Sequence, residues 1–449
     1  MSIAGSAVRP GVEASILEEY RRLTPVSRSH WDRLKALTPA GQLSTMGFLP
    51  YPVFVERVDG AHLYDVDSRE ILDFFGAHSG ALHGHNHPAV REAIRAELDH
   101  GTIFGLVRST RELEVAEQLV ARIPSLEKVR FSPTGSEATM RALRVARAFT
   151  GRHRIAKTDL GYHGNHDLVW YGPEITHAQH PGTRELAPGI SPSVKDEVLL
   201  LPFNDAEGSA ELLSAHADSV AAVIVEPILG GSWLPATVEY LEALRELCTR
   251  HGVVLIFDEM ICLGVARGGA QELFGVVPDL TTAGKTVAAG MPLAFYGGRA
   301  DIMDVTGRGE GGEVPAVIHG GTYQRHNLSM VAATVALAQQ DDAFFERLQA
   351  KGEQLRGVLR ALAERRGWPI EVCGVSHLWS VHWMDEPGPL DVSSMPKVNR
   401  RMRALLQAMA LNRGIHHISG IVTDAHTDEH VRTLCSVLEA SVDELGIGG

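Results

Sequence analysis

Two uninterrupted apolar runs, Ala221-Ala222-Val223-Ile224-Val225-Glu226 and Val253-Val254-Leu255-Ile256-Phe257-Asp258, set the tightest limit on what this chain can fold into. Neither run alternates apolar with polar residues, so neither suits a sheet with one wet face. Both suit strands buried on two faces of a parallel sheet. Between them, Val238 to Arg250 repeats its apolar residues at helical spacing. Strand, helix, strand implies a right-handed crossover and an α/β core. The 449 residues leave room for two domains, or for one large domain with a satellite.

Other elements follow from the same periodicities. Ser15 to Leu37 is charged and periodic and predicts one or two exposed helices forming an arm. Leu63 to Phe74 predicts two short strands about a turn. Glu112 to Ile123 predicts a helix with Leu113, Ala116, Leu119 and Val120 on one face, and Glu137 to Thr150 a second one, stopped by Gly151. Helices from Leu328 to about Gln340 and from Phe344 to Arg366 lead into a remainder that alternates around Ser376 to Met384, which predicts a smaller α+β unit. The net charge of −13 is spread along the chain, which argues against nucleic acid or anionic membrane as a partner. No apolar run reaches the ~18 residues of a membrane span. Met1 to Pro10 lacks an apolar signal core. The four cysteines, Cys248, Cys262, Cys373 and Cys435, lie far apart, with no spacing for zinc, a redox pair or a disulfide framework. A soluble, cytoplasmic enzyme is the expectation.

The chemistry rests on Lys285, in Pro278-Asp279-Leu280-Thr281-Thr282-Ala283-Gly284-Lys285-Thr286, 27 residues beyond Asp258. An apolar strand ending in an acid, followed by a lysine in a Gly/Thr-rich turn, can hold pyridoxal 5'-phosphate. The acid keeps the ring nitrogen protonated, and the amine closes a Schiff base with the aldehyde. Met260 points the same way as Asp258 and can lie on one ring face. Tyr162-His163-Gly164 can lay an aromatic over the other. Thr134-Gly135-Ser136, at the start of a helix, offers hydroxyls, close backbone approach and positive potential to a phosphate.

Each piece also has a plainer reading. Thr134 to Ser136 suits a helix cap without a ligand. Asp258 suits a cap or a metal ligand, and Tyr162 an aromatic packed on the core. Lys285 suits a solvated surface lysine, although Ala283, Val287, Ala288 and Ala289 around it are small and apolar. Gly284-Lys285-Thr286 also matches the end of a nucleotide-binding loop. That loop needs glycine where Asp279 stands, and an acid there repels phosphate. The cluster His78, His83, His85, His87 invites a metal, but the segment is broken by glycine and has no second ligand group at regular spacing. His416-His417 is taken as structural.

Taken together, the chain resembles a class III, fold-type I pyridoxal-phosphate aminotransferase. It is most similar to the branch of glutamate-1-semialdehyde aminomutase and D-phenylglycine aminotransferase, over about residues 50 to 440. The stretches that carry the resemblance are Leu143 to Arg152, Tyr162-His163-Gly164, Val225-Glu226-Pro227, Phe257-Asp258-Glu259, Phe274 to Lys285, Gly290-Met291-Pro292 with Gly297-Gly298-Arg299, and His319-Gly320-Gly321-Thr322. The resemblance implies an α/β large domain with a mixed, mostly parallel seven-stranded sheet between helices, plus a smaller α+β domain. It implies an arm and part of the small domain in residues 1–75, the cofactor domain in 76–327 and the small domain in 328–449. It further implies that Lys285 binds the cofactor and shuttles the proton, that Asp258 pairs with the ring nitrogen, and that Tyr162, with His163 beside it, covers the ring. Thr134, Gly135 and Ser136 would hold the phosphate, joined by Thr322 from the partner of a homodimer. Glu226 would order the site, and small-molecule amine and carbonyl compounds would be the substrates.

The chain departs from that branch where substrate is gripped. Met46 stands near the position of an N-terminal carboxylate-binding arginine, and Met260-Ile261-Cys262-Leu263-Gly264-Val265 lacks another. A guanidinium–carboxylate pair, worth ~1.5–3 kcal/mol, has no apolar substitute. The Phe-Glu-Ala insert is absent from Ile415 to Thr427, and His326-Asn327-Leu328 replaces Gly-Asn-Pro. The expectation is a specialised aminotransferase, suited to secondary-metabolite biosynthesis. Its substrate lacks an α-carboxylate or binds it through another base such as Arg267 or Arg325. An aminomutase, racemase, epimerase or lyase on the same scaffold is the alternative.

Overall fold

The computed structural model describes residues 11–39, 49–105, 107–173, 183–185, 189–307, 317–386, 388, 390–391 and 394–446. The chain forms two compact units, Pro88–Glu346 and Met1–His87 with Arg347–Gly449.

The first unit is built on seven strands: β1 (Lys128–Ser132), β2 (Arg154–Thr158), β3 (Val198–Leu201), β4 (Val220–Val225), β5 (Val254–Asp258), β6 (Leu280–Ala283) and β7 (Ala294–Gly298). Their order is β1-β7-β6-β5-β4-β2-β3. Every pairing is parallel except the two made by β7. Each residue of β4 and β5 is buried, as their lack of alternation predicts. The helix Val238–His251 joins them, with the Thr237 side chain accepting from the Tyr240 N–H at its start and Gly252 in a left-handed turn at its end.

On one side of the sheet, Ala142, Leu143, Val145 and Ala146 of the helix Gly135–Thr150 pack with Ile224, Ile256, Leu280 and Tyr296. A second cluster joins Val115, Leu119, Met330 and Ala333 to Phe131, Ala283 and Phe295. Each fully buried side chain of this size contributes ~1.5–3 kcal/mol. The helix Thr110–Arg122 corrects the expected face. Val115 and Leu119 are buried, whereas Leu113 and Val120 are 59% and 39% exposed. Its apolar stripe is wider than the contact it makes, so periodicity placed the helix but not its contact edge.

The second unit holds one sheet of Val55–Asp59, His62–Asp65, Glu70–Asp73 and Ile415–His416, and another of Ile370–Cys373, Leu378–Trp383 and Ser419–Ile421. Phe74, Trp379, Leu405, Ile415 and Leu434 share its core. Leu378–Trp383 is buried at all six positions rather than alternating. It is the middle strand, and its polar members answer each other, with Ser380 Oγ 2.8 Å from His382 Nε2. Ser15 to Leu37 resolves into helices Val12–Leu23 and Pro25–Leu34. They expose most of their residues but bury Ile16 and Tyr20, whose hydroxyl donates to Tyr51 O at 2.7 Å.

One member of the histidine-rich segment, His85, is held by Asp73. The carboxylate of this residue lies 2.7 Å from His85 Nε2 and 2.7 Å from His416 Nδ1. Among the described residues no group of three or more His, Cys, Asp or Glu is placed to hold a metal ion. Also among them, no helix is long and apolar enough to cross a membrane.

Candidate active site

β5 ends at Asp258, which is 2% exposed. The parallel register sets Thr282 of β6 beside it, and Thr282 Oγ1 donates to Asp258 Oδ1 at 3.0 Å. The Met260 N–H donates to the same oxygen at 3.2 Å. His163 Nδ1 lies 2.8 Å from Oδ2. His163 is fully buried, and burial holds its imidazole below the ordinary range against the pull of Asp258. A carboxylate only accepts, so Nδ1 carries the proton of the neutral ring. The arrangement fixes a buried anion at the carboxyl end of the sheet, where open α/β sheets bind ligands.

Lys285 follows Gly284 just past β6 and opens a short 3-10 turn, Lys285–Val287, with φ of 45°. Burial lowers the pKa of its amine, while the carboxylates of Glu226 and Asp258 oppose that shift. Glu226, just past β4, is 3% exposed. It accepts from the Tyr162 N–H at 2.9 Å and the Gly230 N–H at 3.3 Å. Burial, and then the charge of Asp258, push its carboxyl up to about 8. Near neutral pH Glu226 therefore holds its proton. A further buried amine stands nearby: Lys157 Nζ donates to Tyr171 O at 3.0 Å, and burial brings it down to about 8.

The loop from Tyr162 to Asn165 lies on the first turn of the helix Gly135–Thr150. Thr134 Oγ1 accepts from the Glu137 N–H at 3.2 Å, and Ser136 Oγ from the Asn165 N–H at 3.0 Å. Gly164 has φ of +100°, and a Cβ there would lie 2.7 Å from Ser136 Cα, so this close approach demands glycine. Tyr162 is 55% exposed; its hydroxyl donates to Asn165 Oδ1 at 2.9 Å. A Cβ on Gly135 would meet Met260 Cε at 2.8 Å, and one on Gly284 would meet Met260 Sδ at 2.8 Å. The thioether thus fills space that both glycines leave open.

Hydrogen bonds and charge thus link Tyr162, His163, Glu226, Asp258 and Lys285, and close packing sets Gly135 against Met260 and Ser136 against Gly164. Thr322 stands apart on an exposed loop. Thr282, Asn165 and Lys157 were not anticipated. Asn165 directly follows the Tyr-His-Gly stretch, so its amide is legible beside it. The place of Thr282 depends on strand register, which no local pattern reveals. Asp279 is a strut at the opposite end of β6 from Lys285: it accepts from the Leu255 N–H at 2.8 Å and pairs with Arg245 at 2.9 Å and Arg299 at 3.0 Å. No nucleotide-binding loop forms there.

These residues fit pyridoxal phosphate. A buried carboxylate suits a ring nitrogen, a lysine amine of lowered pKa suits an aldehyde, and the positive potential of a helix start suits a phosphate. Site and sheet define a fold-type I pyridoxal-phosphate enzyme. The family model for "Aminotransferase class-III" matches residues 45–402, and the chain belongs to that family. It is therefore a pyridoxal-phosphate-dependent aminotransferase in class. It is 34% identical over 428 residues to a glutamate-1-semialdehyde 2,1-aminomutase of Nitratidesulfovibrio vulgaris, covering 92% of this chain and 98% of that one. With the protein of the same name in Rhodopirellula baltica it shares 38% identity over 376 residues, 81% and 82% of the two chains. The structure of an omega-transaminase from Sphaerobacter thermophilus matches with a TM-score of 0.88 at 32% identity, over 94% of this chain and 98% of that one.

Met46 lies outside the described residues. Cys262–Val265 is a buried 3-10 turn. Arg267 is exposed and 3.4 Å from Asp342. Arg325 lies 3.7 Å from Glu112 and donates to Gly105 O at 3.4 Å. Asn327 is fully buried and donates to Glu97 Oε1 at 2.9 Å and Gly101 O at 3.1 Å. Leu328 is the second residue of its helix, a place that also tolerates proline.

Proposed function

We propose that this enzyme moves an amino group from an amine or amino acid donor to a keto or aldehyde acceptor, with Lys285 as the residue that binds the cofactor and carries the proton. One observation supports this reading above the others: Asp258, buried at the end of β5 and held by Thr282 Oγ1 and His163 Nδ1, stands at the same end of the sheet as Lys285, just past the neighbouring strand β6. When bound, pyridoxal phosphate supplies an electron sink for the carbon that loses a proton. Asp258, held by His163 and Thr282, would pair with the ring nitrogen. Tyr162 and Met260 would hold the ring. Thr134, Gly135 and Ser136 would hold the phosphate, joined by Thr322 from the second subunit of a homodimer. Glu226 keeps a proton beside Lys285 and steadies the Tyr162 loop.

We place the enzyme in the cytoplasm and in specialised biosynthesis, with a substrate whose acidic group, if present, is not gripped by an arginine between Met260 and Val265. The relatives named glutamate-1-semialdehyde 2,1-aminomutase favour a second reading, internal transfer within one substrate. Incubation of the loaded enzyme with an amine donor alone separates the two. Net transfer yields released ketone and one equivalent of cofactor in its amine form. Consumption of the donor with the cofactor still an aldehyde overturns it.

A further inference from the structure

Thr322 lies in an exposed segment that is locked at one residue, His319. Ile318 is 75% and Tyr323 61% exposed, and Thr322 between them is exposed as well. His319 is gripped from two sides. Arg141 Nη1 lies 2.7 Å from His319 Nε2, and the Tyr296 oxygen 2.6 Å from His319 Nδ1. The two rings stack at 5.5 Å with 28° between their planes. Arg141 Nη2 donates to Gly320 O at 2.6 Å, and the same nitrogen is 2.6 Å from Glu137 Oε2.

The proton positions follow from chemistry. A guanidinium only donates, so Nε2 accepts. Nδ1 then carries the proton and donates to the Tyr296 oxygen. Burial, then Arg141 and Arg130, bring His319 down to about 4, which keeps it in this single neutral form. One planar fork therefore fixes the ring of His319 and the carbonyl of the next residue together, which a lysine could not do. Tyr296 is fully buried in β7, so the anchor is the sheet itself.

Arg141 stands on the helix Gly135–Thr150, whose first turn carries Thr134, Gly135 and Ser136. We infer that Arg141, through His319 and Tyr296, is a positioning residue that sets Thr322 for the phosphate site of a second copy of this chain. One helix then serves two cofactors: its start holds the phosphate of its own subunit, and its second turn aims the hydroxyl that completes the neighbouring one. The inference rests on the proposed role of Thr322.

The test is a titration of the apoprotein with pyridoxal 5'-phosphate and, separately, with pyridoxal, which lacks the phosphate. Arg141→Met is expected to weaken pyridoxal phosphate on the order of 10-fold, the effect of one charge-assisted contact. Tyr296→Phe, which keeps the buried ring and guards against a misfolded Arg141 variant, is expected to weaken it about 3-fold. Neither should change the affinity for pyridoxal. In a Thr322→Val background, Arg141→Met should add less than about 2-fold, because the hydroxyl it positions is gone. Wild-type affinity in Arg141→Met or Tyr296→Phe, an equal loss for pyridoxal, or full additivity with Thr322→Val overturns the relay. Wild-type affinity in Thr322→Val itself overturns instead the reading that Thr322 reaches a phosphate, and the relay with it.

Discussion

At the scale of single residues, the site is governed by what burial does to three ionisable groups. Desolvation lowers Lys285 and His163 and raises Glu226 to about 8. Above that pH Glu226 is charged and favours the ammonium form of Lys285; below it the carboxyl is neutral and has little hold. Glu226→Gln should therefore take up pyridoxal phosphate faster than the wild type above pH ~8 and at a similar rate near pH ~7. The rise of the visible band after mixing with apoprotein, followed across that range, checks this. His377 is a simpler case outside the site. It is fully buried, neither ring nitrogen meets a partner among the described residues, and burial, then Arg356, bring it down to about 3. The unfolded chain takes up a proton near pH ~6.5 that the folded chain refuses, so stability falls as the solution is acidified. The loss reaches roughly 2 kcal/mol by pH ~5. His377→Leu should flatten that fall, seen as a smaller drop in Tm between pH ~7 and ~5; an unchanged drop counts against it.

Among elements, the helix Gly135–Thr150 carries the most. Thr134 caps its start, and Gly151, with φ of 70°, ends it. Thr134→Ala should cost the apoprotein about 1 kcal/mol by loss of the cap, and Thr134→Ser should restore it, both read from denaturant unfolding of cofactor-free protein. This helix was legible in the sequence because Glu137 to Thr150 has one clear apolar face and a terminal glycine. β4 and β5 were legible because burial on two faces leaves an unbroken apolar run. The adjacency of Thr282 and Asp258 was not, since register between strands 24 residues apart leaves no local trace. Nor was the contact edge of Thr110–Arg122, where Leu113 and Val120 fit the same spacing as the buried pair. Asp258, Lys285 and the Tyr162 loop could be singled out because each combines a chemical group with a strand end or a turn. The grip of Arg141 on His319 could not, because those residues lie 178 positions apart and nothing in the local pattern of either points to the other.

For the molecule as a whole, the parallel sheet collects the proposed site residues at one end. Asp258 closes β5, Glu226 follows β4, and Lys285 follows β6. That economy has a cost at one position. Lys285 is held at φ of 45°, a region that a residue with a Cβ avoids at an expense of roughly 1–2 kcal/mol. Glycine would adopt the same turn freely. Lys285→Gly should therefore melt higher than the wild-type apoprotein in a calorimeter, whereas Lys285→Ala should not. Glycine would be the sturdier residue at this turn, so on the proposed role of Lys285 the polypeptide gives up durability there for a reactive amine.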